Sequence, residues 1–340
     1  MIALVNLLSQ ISLALFGILP GNYSGITHIA DNQYAVVDDK DQTDGFKILS
    51  LDLDPVKGKV RGASMSIPLL VNQRHESGKA TYRDSEGIAY FPSRNTIFVS
   101  GEADQRILEY TLDGVPTGRE LQIPASMGRD RIASNLGFES LTYNEKTQLF
   151  WTTTESTLLN DGERSSLSQK EVNNLLRLQS FSHDLLPVAQ YAYVMDKPAT
   201  KGNKGTFAHG VPEMLALDDG RLIVMERELY APRYKVGSTC RIKLYVVDPT
   251  HAEKISDEDK LSQLAADRFL PKTLLAEFKT RLQFGRMNLA NYEGMCLGPK
   301  LEDGSQTVIL ISDSQSGTGN RFYHLKDYVR IIILSADQQP

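Results

Sequence analysis

Cysteine is scarce: Cys240 and Cys296 are the only two in 340 residues. No disulfide framework and no multi-cysteine zinc site can organise such a chain. Two buried free thiols are expected, with a single Cys240–Cys296 bridge as the alternative. The six histidines, His28, His75, His183, His209, His251 and His324, show no HxxxH or HxH spacing. A histidine metal centre therefore has no support. No G-x-S-x-G elbow occurs and no Ser/His pair stands out, which disfavours a serine esterase. Charge of one sign is also missing. Lys+Arg total 37 and Asp+Glu 42, a formal −5, which argues against a polyanion-binding surface and so against nucleic acid.

Long apolar runs are absent too. Met1–Leu19 carries no charge, but Asn6, Ser9, Gln10 and Ser12 interrupt it. It has no basic n-region and no small-residue cleavage site, and it is short for a membrane span. The segment reads as a strand at about Gln10–Ile18. Residues 1–7 are left as an N-terminal remnant or signal-like segment, and 8–336 as one domain.

What is present suits a large core: 41% of residues are hydrophobic and 23% charged, which excludes disorder. Short apolar runs such as QYAVV, TIFVS, QLFWTTT, RLIVM and TVILIS are bounded by Gly, Pro, Asn and Asp, as buried strands are. Two segments read as helices. Ser256–Phe269 has Ser256 as its N-cap and Asp259 three residues on; Ser166–Leu178 is the weaker.

Five segments repeat: YSGITHI from Tyr23, SEGIAYF from Ser85, FESLTYN from Phe138, PEMLALD from Pro212 and YEGMCLG from Tyr292. Each is followed by a turn and an apolar strand ending in acid. The leading residues Ser24, Glu86, Glu139, Glu213 and Glu293 precede the strand-end acids Asp38, Glu102, Glu155, Glu226 and Asp313 by 14, 16, 16, 13 and 20 residues. A two-strand hairpin of that length brings both ends to one side. The repeat predicts an all-β, five-bladed propeller of four-stranded blades, with six blades as the alternative. The fifth blade has no fourth strand of its own. The N-terminal strand fills that position and leaves no sheet edge open.

In this topology the inner strands line a channel, and their leading residues form a ring of Ser24, Glu86, Glu139, Glu213 and Glu293 at one mouth. Four carboxylates facing one another raise each other's pKa. A cation is the simplest remedy, and oxygen-only ligands favour Ca²⁺. The alternative is that each Glu accepts strand-end N–H groups or pairs with Arg or Lys. Four loops at this mouth, 71–85, 125–138, 195–212 and 279–292, hold 11 Lys/Arg against 4 Asp/Glu. The pattern is a basic collar around an acidic axis, suited to a small anion such as a phosphate ester. The bland alternative is a set of solvated loop charges. Two further mouth loops, Thr157–Asn174 and Leu229–Thr239, are long enough to be functional. The Ser256–Phe269 insertion is expected on the opposite face.

The lines GNYSGITHIADNQYAVVDDK, YRDSEGIAYFP, NLGFESLTYN, GVPEMLAL, IVMERE and NYEGMCLGP resemble the "esterase-like activity of phytase" family over roughly 18–335. That resemblance implies a β-propeller, often exported by bacteria, with a phosphoester- or ester-hydrolysing activity. It implies a periplasmic or secreted location, although the N-terminus shows no convincing export signal. The family's acidic motif residues fall on Glu86, Glu139, Glu213 and Glu293. Its strand-end polar residues fall on Glu102, Glu155, Glu226 with Arg227, and Asp313; Asn135 and Arg83 lie in its N-x-G-F-E and R-D-x-E-G motifs. The ring is also similar to that of five-bladed calcium-dependent nucleotidases, where only the YEG motif is shared.

The resulting expectation is a Ca²⁺-dependent hydrolase acting on a small anionic substrate. Glu102, Glu155, Glu226 and Asp313 are the candidate catalytic bases. Lys40, Arg83, Asn135, Arg227 and Arg233 are the candidate substrate ligands. The alternative is a non-catalytic binding propeller with a structural Ca²⁺. No membrane span is expected, and the chain is expected to be a monomer.

Overall fold

Each repeated segment is an inner strand, and each is followed by its antiparallel partner. In the computed structural model, which describes residues 2–40, 45–68, 70–73, 82–133, 136–320 and 323–335, these hairpins begin five sheets. Blade one is Tyr23–Ala30, Gln33–Asp38, Lys47–Leu53 and Val60–Ser66, and blade two is Ser85–Phe91, Thr96–Gly101, Arg106–Thr111 and Pro116–Glu120. Blade three is Phe138–Asn144, Leu149–Thr154, Leu175–Ser182 and Pro187–Val194. Blade four is Thr206–Ala216, Leu222–Ala231, Ser238–Val247 and Lys272–Gln283, extended by Arg286–Met287. Inner strands touch in sequence around the ring, and Asn291–Lys300 of blade five returns to Tyr23–Ala30 of blade one.

Blade five closes as expected in principle but not in detail. Its outermost strand is Leu4–Leu7, paired Leu4↔Leu334 and Leu7↔Ile332 against Tyr328–Leu334. The predicted strand at Gln10–Ile18 is only Ile11–Ser12, paired to the same partner. After it the chain turns through the 3₁₀ segment Leu13–Phe16, ended by Gly17 at φ 77°. Leu13 is fully buried between blades five and one. The chain turns here instead of continuing as a strand, and the pairing that closes the sheet lies upstream.

Blades pack through apolar faces. Phe91 and Phe98 of blade two meet Phe150 of blade three with ring centroids 5.2 and 4.8 Å away, and such aromatic contacts add to area burial. Cys240 and Cys296 are free and buried.

Neither expected helix forms. Within 256–269 only the 3₁₀ turns Leu261–Gln263 and Ala266–Arg268 appear. The Ser256 N–H does bond the Asp259 carboxylate at 2.7 Å, so half of a capping box is present without a helix to cap. Tertiary pairing wins instead: Ile255 bridges Gln190 and Phe269 bridges Ala192. The insertion lies along the outer strand of blade three and covers its edge. Of 166–178, the last four residues join strand Leu175–Ser182. Among the described residues no helix is long and apolar enough to cross a membrane.

The glycine after the leading residue has a packing reason. A Cβ on Gly25 would sit 2.3 Å from the Glu86 carbonyl oxygen, and one on Gly87 2.4 Å from that of Glu139. The inner strands of blades one and two thus press on the leading residue of the next blade, and only glycine permits the approach.

Candidate functional site

All five inner hairpins carry a register irregularity where they meet the mouth: Tyr23/Gly25, Ser85/Ile88, Phe138/Ser140, Gly210/Glu213 and Tyr292/Gly294. A bulge re-aims the side chains beside it. The expected symmetric ring is accordingly broken. Ser24 donates its hydroxyl to the Ser85 carbonyl at 3.0 Å. One oxygen of the buried Glu213 carboxyl accepts the Leu141 and Met214 N–H groups at 3.1 and 3.0 Å. Burial holds that carboxyl well above the ordinary range, and it stands apart from the other acids.

Arg227 divides the remainder. Its guanidinium is buried and ion-pairs both Glu155 and Glu293, and Asn291 adds a 2.6 Å bond to Glu293. Gly210 lies opposite Arg227 in register. A Cβ there would come 2.5 Å from Cγ of Glu155, so this glycine makes room for the pair. Burial pushes Glu293 up to about 7 even against Arg227.

The other half has no such cation. Carboxylate oxygens of Glu86, Glu102 and Glu139 lie within 4.8 Å of one another, and so do those of Asp39, Asp84 and Glu86. Glu86 belongs to both sets. Glu102 accepts the Gly137 N–H at 2.8 Å. Lys40 pairs with Asp39 at 2.6 Å and Asp84 at 3.2 Å from the rim. Among the described residues no cation ion-pairs Glu86, Glu102 or Glu139. Burial first, and neighbouring carboxylates second, hold Glu86 and Glu139 well above the ordinary carboxylate range. Burial likewise takes Glu102 to about 7 and Asp39 to about 6. Asp84 adopts φ 54°, a left-handed conformation that aspartate tolerates better than most residues. A cleft of about 420 Å³ opens beside the cluster, lined by Asp84, Glu102, Gln105 and Arg129.

The remaining sequence candidates scatter. Glu226 points between blades three and four, bonded to the Tyr193 hydroxyl and the Lys272 ammonium, both at 2.6 Å. Strand alternation sends it to the face opposite its neighbour Arg227. Asp313 is buried, accepts the Gln315 N–H, and is held well above its ordinary value by burial and by Glu293. Arg83 is spent inside blade two: its guanidinium bonds Asp104 at 2.7 and 3.1 Å, Tyr110 at 3.0 Å and the Arg106 carbonyl at 2.8 Å. Arg233 is on an exposed turn, 6.0 Å from the Tyr234 ring. Asn135 lies outside the described residues. Of the expected collar, Lys279 and Arg281 stand in strand Lys272–Gln283. Arg129 lines the cleft with no ion-pair partner among the described residues. Asp84 was not singled out from the sequence; its signal was its position next to the Ser85 strand start.

A propeller with an acidic, partly compensated mouth is the class these observations define. The Phytase-like family model, described as "Esterase-like activity of phytase", matches residues 18–315, and the chain belongs to that family. No curated protein matches the chain. Among solved structures, a streptogramin B lyase is 14% identical over 98% of this chain and 99% of its own, with a TM-score of 0.36. An endo-arabinase from Bacteroides thetaiotaomicron is 11% identical over 96% and 98%, with a TM-score of 0.43. A luciferin-regenerating enzyme is 11% identical over 95% of both chains, with a TM-score of 0.41. The five sheets, not these likenesses, establish the propeller.

Proposed function

We propose that the chain is a divalent-cation-dependent hydrolase of small anionic phosphoesters or esters, working at the half of the mouth that Arg227 leaves uncompensated. The observation that carries this reading is the pair of carboxylate triplets sharing Glu86, with no cation ion-paired to Glu86, Glu102 or Glu139 among the described residues. The donors fit a hard cation: all are carboxylate oxygens, close to one another within each triplet, and one buried Asp39 oxygen has no hydrogen-bond partner among the described residues. Such sets suit Ca²⁺. Glu86 would hold it together with Glu139 from one triplet or Asp39 from the other, with Glu102 and Asp84 completing those sets toward the cleft. A bound Ca²⁺ supplies polarisation of a phosphoryl or carbonyl oxygen and a lower pKa for a nearby water.

The chain's own residues account for the rest. Glu102 borders both the cluster and the cleft. Its raised pKa suits a group that takes a proton from water near neutrality. Arg129 and Lys40 stand at the rim, where an anionic substrate is neutralised. Glu155, Glu226 and Asp313 are engaged elsewhere and take no part in this reading.

Calorimetric titration with Ca²⁺ tests it, together with phosphate release from a panel of phosphomonoesters with and without EDTA. Glu86→Gln is expected to weaken Ca²⁺ binding at least tenfold and to lower EDTA-sensitive turnover. Unchanged Ca²⁺ affinity in that variant would sink the assignment. A second reading, a non-catalytic binding propeller, draws on the cluster's joining of three blades, since an ion there also cross-links them. Ca²⁺-dependent thermal stabilisation without any turnover would favour it.

A further inference from the structure

A second cleft, of about 630 Å³, opens on the Arg227 side of the mouth. In its wall the Ser165 hydroxyl lies 2.7 Å from His209 Nδ1. The two residues are 44 positions apart, one in the long loop Thr157–Asn174 and one in the inner strand of blade four. One side chain sets both. The fully buried Asn174 accepts the Ser165 N–H at 2.8 Å and donates to the His209 carbonyl at 2.8 Å. The loop is pinned again at Asp161, buried and ion-paired with Arg177 at 2.7 Å. Asp161 also accepts the Leu261 N–H at 3.2 Å from the blade-four insertion. The His209 ring packs on Phe207 with centroids 6.0 Å apart. Burial, with Arg227 nearby, pushes His209 down to about 4, so the ring is neutral at pH 7 and can accept a proton. No carboxylate is hydrogen-bonded to His209 among the described residues; the arrangement is a dyad steadied by Asn174.

We propose that Ser165 is a nucleophile, with His209 as its general base, in a metal-independent hydrolysis of small carboxylic esters at a site separate from the carboxylate cluster. Ser165 Oγ bonds to the ester carbonyl carbon as its proton passes to His209 Nδ1. The carbon–oxygen bond to the leaving alcohol breaks, and the alcohol takes the proton from His209. Water then adds to the acyl carbon and gives its proton to His209. Ser165 Oγ leaves and recovers that proton, releasing the acid. Arg164, without an ion-pair partner among the described residues, and Gln169 line the cleft and are the donors available to the carbonyl oxygen as it gains charge. Glu155 and Glu163 also line it, which suits a neutral ester better than a phosphate dianion.

The full chain, held in EDTA, would be treated with a serine-directed fluorophosphonate and the modified peptide identified by mass spectrometry. Modification at Ser165 is expected in the wild-type protein, which makes the first readout independent of any variant's folding. His209→Gln is expected to slow labelling by about 100-fold, and Ser165→Ala to abolish it. No labelling, labelling at another residue, or an equal rate in His209→Gln would overturn the proposal. Because EDTA is present throughout, the result is separate from the fate of the cation-dependent reading.

Discussion

Glu155 and Glu293 share one buried guanidinium, whereas Glu86, Glu102 and Glu139, across the same mouth, face one another. Both sets arise from the same repeated hairpin. The difference lies in one position, Arg227, which follows a strand-end acid only in blade four and which Gly210 opposite leaves room for. A carboxylate with a dedicated cation is part of the fold. A carboxylate whose neighbours are all acids is costly to ionise and is satisfied best by something brought from outside.

The sharpest way to break the contrast is to remove the guanidinium. Arg227→Met leaves two buried acids unpaired and is expected to cost about 3–5 kcal/mol in urea unfolding at pH 7. Part of the loss should return at pH 5, below the raised value of Glu293, where that carboxyl is protonated. An effect under 1 kcal/mol would mean that the two halves do not differ as described. Next comes pH. Asp39 at about 6 and Glu102 and Glu293 at about 7 all lie above their unfolded values. The folded chain therefore keeps protons that the unfolded chain has released. In EDTA, stability should fall as pH rises from about 4 through about 7. Saturating Ca²⁺ should flatten this slope, and a slope insensitive to Ca²⁺ would count against a cation at the cluster. Glu86→Gln should act with the opposite sign to Arg227→Met. In EDTA it removes a buried carboxyl whose ionisation burial and its acidic neighbours oppose, and the expected outcome is a gain of about 1 kcal/mol by chemical denaturation. Smallest is Lys40→Ala. Lys40 is 56% exposed, and its loss should change stability by less than about 1 kcal/mol in the same assay.

Much of the fold could be read from residues in order. The five repeated inner-strand segments, apolar strands ending in acid, and a missing fourth strand in blade five are local or counting signals. They imply five blades and N-terminal closure. The closing strand lies a few residues from where composition puts it: Gln10–Ile18 has a strand-like composition, yet the chain turns through Leu13–Phe16 and buries Leu13 between blades five and one. The helix over 256–269 was misjudged for a related reason: its cap and polar pattern are real, yet bridges to Gln190 and Ala192 give its backbone other partners.

The site was legible as a list of acids but not as an arrangement. Sequence spacing put Glu86, Glu102, Glu139, Glu155 and Glu293 at one mouth, since hairpin length alone brings both strand ends together. Spacing cannot say which side chain a bulge turns aside: Ser24 hydrogen-bonds the Ser85 carbonyl, and Glu213 accepts the Leu141 and Met214 N–H groups. Nor can it say which acids a single arginine reaches, or that Asn174 holds a serine and a histidine from different blades 2.7 Å apart. Those outcomes depend on angstrom-scale distances between segments remote in the chain. Local propensity carries no term for such distances, whereas burial and charge pairing are set by little else.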